Sequence, residues 1–161
     1  MIQRIQSLFM LAIAACMLMV LFFPIWSEIN HDNTQQIVFT AFKTETVALP
    51  YNKNAAPLSS GSTIYIALLA IAAAVIAALS IFQYKNRLNQ MKLGALNSLI
   101  MAATLGLSYY NVYQLETTSP QTQGAFLMGF FMPVAAMIFN MMSNRFIRKD
   151  EKLVKSVDRI R

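Results

Sequence analysis

Charge is what this sequence has least of. Only 12% of its 161 residues are Asp, Glu, Lys or Arg, about half of the roughly 25% usual in soluble domains. It holds one cysteine, one histidine and one tryptophan. A single cysteine, Cys16, excludes an intrachain disulfide and a dithiol redox centre. A single histidine, His31, excludes bis-histidine haem ligation and stands outside the apolar segments. Those segments carry no ionisable acid or base, so proton coupling within a membrane lacks its usual carrier. Neither paired aspartates nor a Ser/His arrangement is there for intramembrane proteolysis. Together these absences exclude a soluble enzyme, a nucleic-acid-binding domain and a disulfide-stapled secreted module.

What is present is apolar. Hydrophobic residues make up 57% of the chain and the mean hydropathy is +0.48. Four windows are free of charge, Ile5–Ser27, Asn54–Tyr84, Leu93–Leu115 and Thr117–Asn144, with 23, 31, 23 and 28 residues. A membrane helix takes about 20 predominantly apolar residues, so each window has room for one. The runs are long and do not alternate, which favours helices over barrel strands. A soluble four-helix bundle would need a charged stripe on each helix, and none is found. The expectation is an all-α membrane protein, a four-transmembrane-helix bundle with spans at about residues 5–26, 62–84, 93–115 and 124–143. Pro24 is placed to stop the first helix and Pro133 to bend the fourth.

Basic residues set the orientation. Arg4 precedes the first span, Lys85, Arg87 and Lys92 link the second to the third, and seven more follow the fourth. These regions hold 11 of the 13 Lys and Arg residues, so the positive-inside rule puts both termini in the cytoplasm. Trp26, Tyr65, Tyr109, Tyr110 and Tyr113 read as anchors at the outer boundary. The net charge of +6 is then a topology signal, and no nucleic-acid partner is expected.

Ile13-Ala14-Ala15-Cys16 resembles a lipoprotein cleavage site, yet the apolar run continues to Phe23, unlike a cleaved signal, and lipidation is not expected. The outer loop, residues 27–61, contains Gln36–Phe42 and Thr44–Leu49, rich in β-branched and aromatic residues. That loop leaves room for a small β-hairpin turning near Lys43. Residues 1–144 form the membrane domain, and residues 145–161 form a cytoplasmic basic amphipathic tail. In the tail, Phe146, Leu153, Val157 and Ile160 recur at helical spacing among Arg148, Lys149, Lys152 and Lys155, with four net positive charges over residues 145–161. Such a helix suits docking on a protein partner or on anionic lipid.

Inside the helices, Gly94, Ser98, Ala102 and Gly106 fall at four-residue intervals, spacing that lets helix backbones approach. Asn97 and Asn140 lie at equal depth near the cytoplasmic ends of the third and fourth helices, where a direct or water-bridged contact is expected. Met128, Met132, Met137, Met141 and Met142 read as packing rather than soft-metal ligands. No cofactor or metal site is expected.

Met1-Ile2-Gln3-Arg4-Ile5-Gln6-Ser7 at one end resembles the start of an uncharacterised family of bacterial four-helix integral membrane proteins. So do Arg145-Phe146-Ile147-Arg148-Lys149-Asp150-Glu151-Lys152-Leu153-Val154 and the closing Ser156-Val157-Asp158-Arg159-Ile160-Arg161. The turn from Arg87 to Asn97 is similar too. The resemblance implies a bacterial inner-membrane protein and brings no activity or site residues. Claudin-like proteins share the outline alone, since their paired loop cysteines are missing here. The expected role is a non-enzymatic scaffold or accessory subunit of a cytoplasmic-membrane complex. The alternative is a small transporter or lipid-handling subunit with a path near Asn97, Asn111 and Asn140.

Overall fold

The computed structural model describes residues 3–30, 32–50, 57–83, 87–118 and 124–158, with backbone alone for 3–5, 87, 118 and 150–158. In chain order the elements are α1 (Gln3–Met19), β1 (Trp26–Ile29), β2 (Gln35–Phe39), β3 (Lys43–Ala48), β4 (Ser59–Ser62), α2 (Ile64–Phe82), α3 (Arg87–Thr118), β5 (Ala125–Phe126) and α4 (Met128–Asp158). Each helix packs against two others, in the cyclic order α1, α2, α3, α4. Five strands form one antiparallel sheet in the order β4-β3-β2-β1-β5.

That sheet overturns the expectation of an all-α bundle with at most a hairpin. The expected hairpin is present as β2 and β3, and Thr40 closes its turn by donating from N and Oγ1 to Lys43 O at 2.9 and 2.8 Å. It is the middle of a larger structure. Two isolated strands would be marginal; here β1 and β4 extend them on both sides and β5 arrives from just before α4.

The four-span count is corrected as well. Among the described residues three helices, within Ile64–Phe82, Leu88–Thr117 and Met128–Lys149, are long and apolar enough to cross a membrane. α1 has 17 residues, about 26 Å at 1.5 Å per residue, against roughly 30 Å of hydrocarbon. The α1 helix ends at Met19 in a turn in which Phe22 and Phe23 donate to Met19 O, before Pro24 is reached.

The core runs from the bundle into the inner face of the sheet. Ile13 and Met17 of α1 and Val20 just after it join Ile66 of α2, Val112 of α3 and Ala136 of α4, and the same cluster takes in Ile25, Trp26, Phe39 and Ala41. Directly opposed residues of antiparallel strands share a face. Phe39, Trp26 and Phe126 therefore form a row across β2, β1 and β5. Trp26 is completely buried, so it is a core residue and not the boundary anchor that its position suggested. Tyr65, Tyr109, Tyr110 and Tyr113 are exposed.

α2 turns small residues inward and large apolar ones outward. Its buried face is Ile66, Ala67, Ala70, Ala73, Ala74, Ala77 and Ser80, mostly small. Its outward face carries Leu68, Val75 and Leu79, which are 61%, 51% and 53% exposed. In water each such half-exposed side chain would forgo roughly half of the 1.5–3 kcal/mol that full burial gives. Small residues inside and large apolar ones outside is the arrangement expected of helices surrounded by lipid.

Two glycines separate packing need from helical habit. A Cβ at Gly129 would lie 2.6 Å from Phe23 O and 2.7 Å from Pro24 O, backbone atoms that cannot give way. At Gly106 it would meet nothing within 4 Å. Gly129→Ala is therefore expected to lower the unfolding midpoint in detergent by the equivalent of about 1–3 kcal/mol, whereas Gly106→Ala leaves it unchanged or slightly raised.

Candidate functional site

The half of the bundle remote from the sheet is polar inside. Gln6 of α1, Ser80 of α2, Gln90 and Asn97 of α3, and Asn140 and Ser143 of α4 are all buried. Helix geometry brings them together because the small faces of α2 and α3 admit a close approach. Asn140 Nδ2 donates to Gly94 O at 2.8 Å and to Ser98 Oγ at 2.6 Å, tying α4 to α3. Ser98 Oγ in turn donates to Gly94 O at 3.1 Å. Gln90 Nε2 donates to Ser80 O at 3.1 Å and lies 3.3 Å from Met10 Sδ, tying α3 to α2 and α1.

Asn97 and Asn140 do share a site, but they do not bond to each other. Both line a cavity of about 10 Å³ together with Met10, Ser80 and Gly94. Asn140 spends its amide on α3, while Asn97 Oδ1 has no partner. Gln6 Nε2, Ser80 Oγ and Ser143 Oγ are likewise buried without one. Leaving a buried polar group unpaired costs about 1–3 kcal/mol. Gln6, Ser80 and Ser143 were not singled out from sequence; Ser80 is a lone polar residue within an apolar run, Gln6 and Ser143 stand among polar neighbours at the ends of apolar runs, and packing sets Ser80 beside the two asparagines.

Asn111 lies elsewhere. Its Oδ1 accepts from Tyr65 Oη at 2.7 Å and its Nδ2 donates to Leu107 O at 2.6 Å, so it joins α3 to the first turn of α2 near the sheet. Gln114 Nε2 donates to Tyr110 Oη at 2.8 Å on the same end of α3. The three amides of the expected path are thus split between two ends of the bundle.

A second set of buried polar atoms lies where the sheet meets the helices. Glu28, on β1, is only 3% exposed, and its Oε2 and the nearby Trp26 Nε1 have no partner. Burial, and then the repulsion of Glu116, holds the Glu28 carboxyl above its ordinary value of 4.5. Among the described residues no group of three or more His, Cys, Asp and Glu side chains is placed to hold a metal ion.

The tail is a continuation of α4. Phe146 stacks on Phe9 of α1, with ring centroids 5.6 Å apart, and Ile147 is completely buried. Phe146 is therefore engaged within the bundle. Arg145, Arg148 and Lys149 are exposed. Helical backbone carries Lys152, Leu153, Lys155 and Val157, whose side chains lie outside the described residues, as does Ile160 altogether.

The chain belongs to the family described as a domain of unknown function, DUF4293, whose model matches residues 2–160. No curated protein matches it in sequence.

Two outcomes follow from this geometry. Asn140→Ala removes both ties to α3 and is expected to destabilise the bundle by about 1–2 kcal/mol, read as a lower unfolding midpoint. The raised Glu28 pKa means that the folded state binds more protons than the unfolded chain above about pH 4.5. Stability should therefore fall as pH rises from there through the raised value, and Glu28→Gln should flatten that part of the profile and raise the midpoint at pH 7.

Proposed function

We propose that this member of the family is a non-enzymatic integral membrane protein serving as a scaffold or accessory subunit of a bacterial cytoplasmic-membrane complex. It sits in the bilayer through α2, α3 and α4, with α1 packed beside α2 and α4. The sheet lies on the outer side. Support for that orientation comes from charge: Lys92, Arg145, Arg148 and Lys149 are exposed at the bundle end opposite the sheet, where the positive-inside rule favours cytoplasm.

The observation that carries the reading is the unbroken course of α4 from Met128 to Asp158. Its first half packs in the bundle, Phe146 and Ile147 hold it there, and its last turns extend past those contacts with Arg148, Lys149, Lys152 and Lys155 interspersed with Asp150, Glu151 and Asp158. A rigid helix continuous with the membrane domain can hold a partner at a fixed distance and angle, with less ordering cost than a flexible tail. The partner is a membrane or cytoplasmic protein with an acidic, apolar-lined groove, and anionic lipid is the other surface the basic residues suit. The alternative path for a solute or lipid draws less support. Asn111 is tied to Tyr65, Asn140 to Gly94 and Ser98, and the cavity beside Asn97 is only about 10 Å³.

The test compares the full chain with Leu153→Ala/Val157→Ala/Ile160→Ala in crosslinked affinity purification from native membranes. The triple variant is expected to insert normally and to lose a defined set of partners at least tenfold. Equal recovery of partners by both forms would refute docking through the tail. A truncation is better placed after Lys149 than after Asn144, because Phe146 and Ile147 belong to the bundle packing.

A further inference from the structure

We infer that the polar half of the bundle holds one resident water molecule, bound between Ser80 of α2 and Asn97 of α3. Four observations carry this. The cavity between the helices measures about 10 Å³, close to the least space that one water needs. Its lining is mixed: Met10, Ile13 and Leu93 are among its apolar residues, and Ser80, Asn97 and Asn140 supply the polar side chains. Ser80 and Asn97 are 3% and 2% exposed, and Ser80 Oγ and Asn97 Oδ1 have no hydrogen-bond partner within the protein. The amide nitrogens of the neighbouring Asn140 and Gln90 already have theirs.

The chemistry of the two orphaned atoms selects the ligand. Asn97 Oδ1 can only accept, and the Ser80 hydroxyl can donate or accept. A water that donates one hydrogen to Asn97 Oδ1 and accepts the Ser80 hydrogen satisfies both and keeps a second hydrogen for another acceptor. An apolar molecule would leave both groups unpaired, and apolar cavities are the ones that stay dry. A sodium ion is disfavoured, because two unclaimed neutral oxygens are too few to replace its hydration shell and the helices around the cavity carry no charge in their apolar windows. The bound water would make the contact between α2 and α3 that Asn140 makes between α3 and α4. This inference stands apart from docking through the tail and would survive its refutation.

The measurement is water-to-protein magnetisation transfer on the full-length, isotope-labelled chain in phosphatidylethanolamine–phosphatidylglycerol nanodiscs. It is made in the rotating frame, where dipolar transfer and chemical exchange of the amide proton itself differ in sign. Direct cross-peaks from water are expected at the Asn97 side-chain amide and the Ser80 backbone amide, and none at the amides of Leu68 and Val75 on the lipid-facing side of α2. Asn97→Leu should abolish the Ser80 signal while the rest of the amide spectrum stays in place. Should that variant not fold, Ser80→Ala provides the same comparison at Asn97. Absence of direct transfer at both groups in the unaltered chain overturns the inference. So do shifts at Asn97 and Ser80 that follow sodium chloride but not choline chloride, which would assign the cavity to a cation.

Discussion

At one crossing the chain comes so close to itself that no side chain fits between the strands of backbone. The Phe23–Pro24 segment lies against Gly129, whose N–H donates to Pro24 O at 3.0 Å, and two residues away Leu127 N donates to Ile25 O at 2.9 Å. The crossing joins the exit of α1, the start of β1, the whole of β5 and the first turn of α4. The sheet takes its position over the bundle from it. On the far side of the sheet a second clamp acts in parallel: Thr63, just before α2, donates from N to Phe42 O and from Oγ1 to Thr40 O, both at 3.0 Å. Between these two fixed points the inner face of the sheet closes on the helix ends, and Trp26 fills the space.

The two halves of the bundle solve different problems. Near the sheet most of the large buried side chains are apolar, with Met17, Val20, Ile66, Val112 and the aromatic row from Phe39 to Phe126, around the buried Glu28. Away from it the interior is small and polar, and amides stitch the helices together. Where lipid tails surround a protein, apolar side chains gain little from leaving them, so dispersion and interhelical hydrogen bonds must hold helices together. Bonds of this kind need few polar residues, and here Asn140 is buried with Gly94 and Ser98 beside it. Gly94 illustrates the point: a Cβ there would lie 2.6 Å from Asn144 Oδ1, within the same contact that gives Asn140 its reach to the Gly94 carbonyl.

The helices were legible in sequence because a charge-free run of 20 or more residues has few other uses. The hairpin of β2 and β3 was legible from its Val, Ile, Phe and Thr content. β1 was not, because Trp26 and Ser27 adjoin an apolar run and read as its boundary. β4 was hidden by composition: Ser59-Ser60-Gly61-Ser62 has little strand propensity and is held there by pairing with Lys43–Thr46. β5 has two residues, too few for any periodicity, and lies within a window that looks helical throughout. Asn97 and Asn140 were found because amides are conspicuous in apolar helices, and equal depth brought them to one cavity. Their bonding partners were not, since a backbone carbonyl such as that of Gly94 carries no mark in the sequence. Membership of the family fits the recognised chain ends and, like them, carries no activity.

The smallest strand has a consequence for biosynthesis. β5 pairs Phe126 with Trp26, residues about 100 positions apart, and contacts so distant in sequence are slow to form. Four strands emerge early, before α2, yet one edge of β1 stays open until the polypeptide beyond Phe126 has been made. Through that interval Trp26 lacks part of its cover, and a nascent chain carries an unpaired strand edge of the kind that invites misassociation. Completion of the sheet thus waits on the chain just ahead of α4, and Trp26 gains its last strand neighbour only once Ala125 and Phe126 have been made.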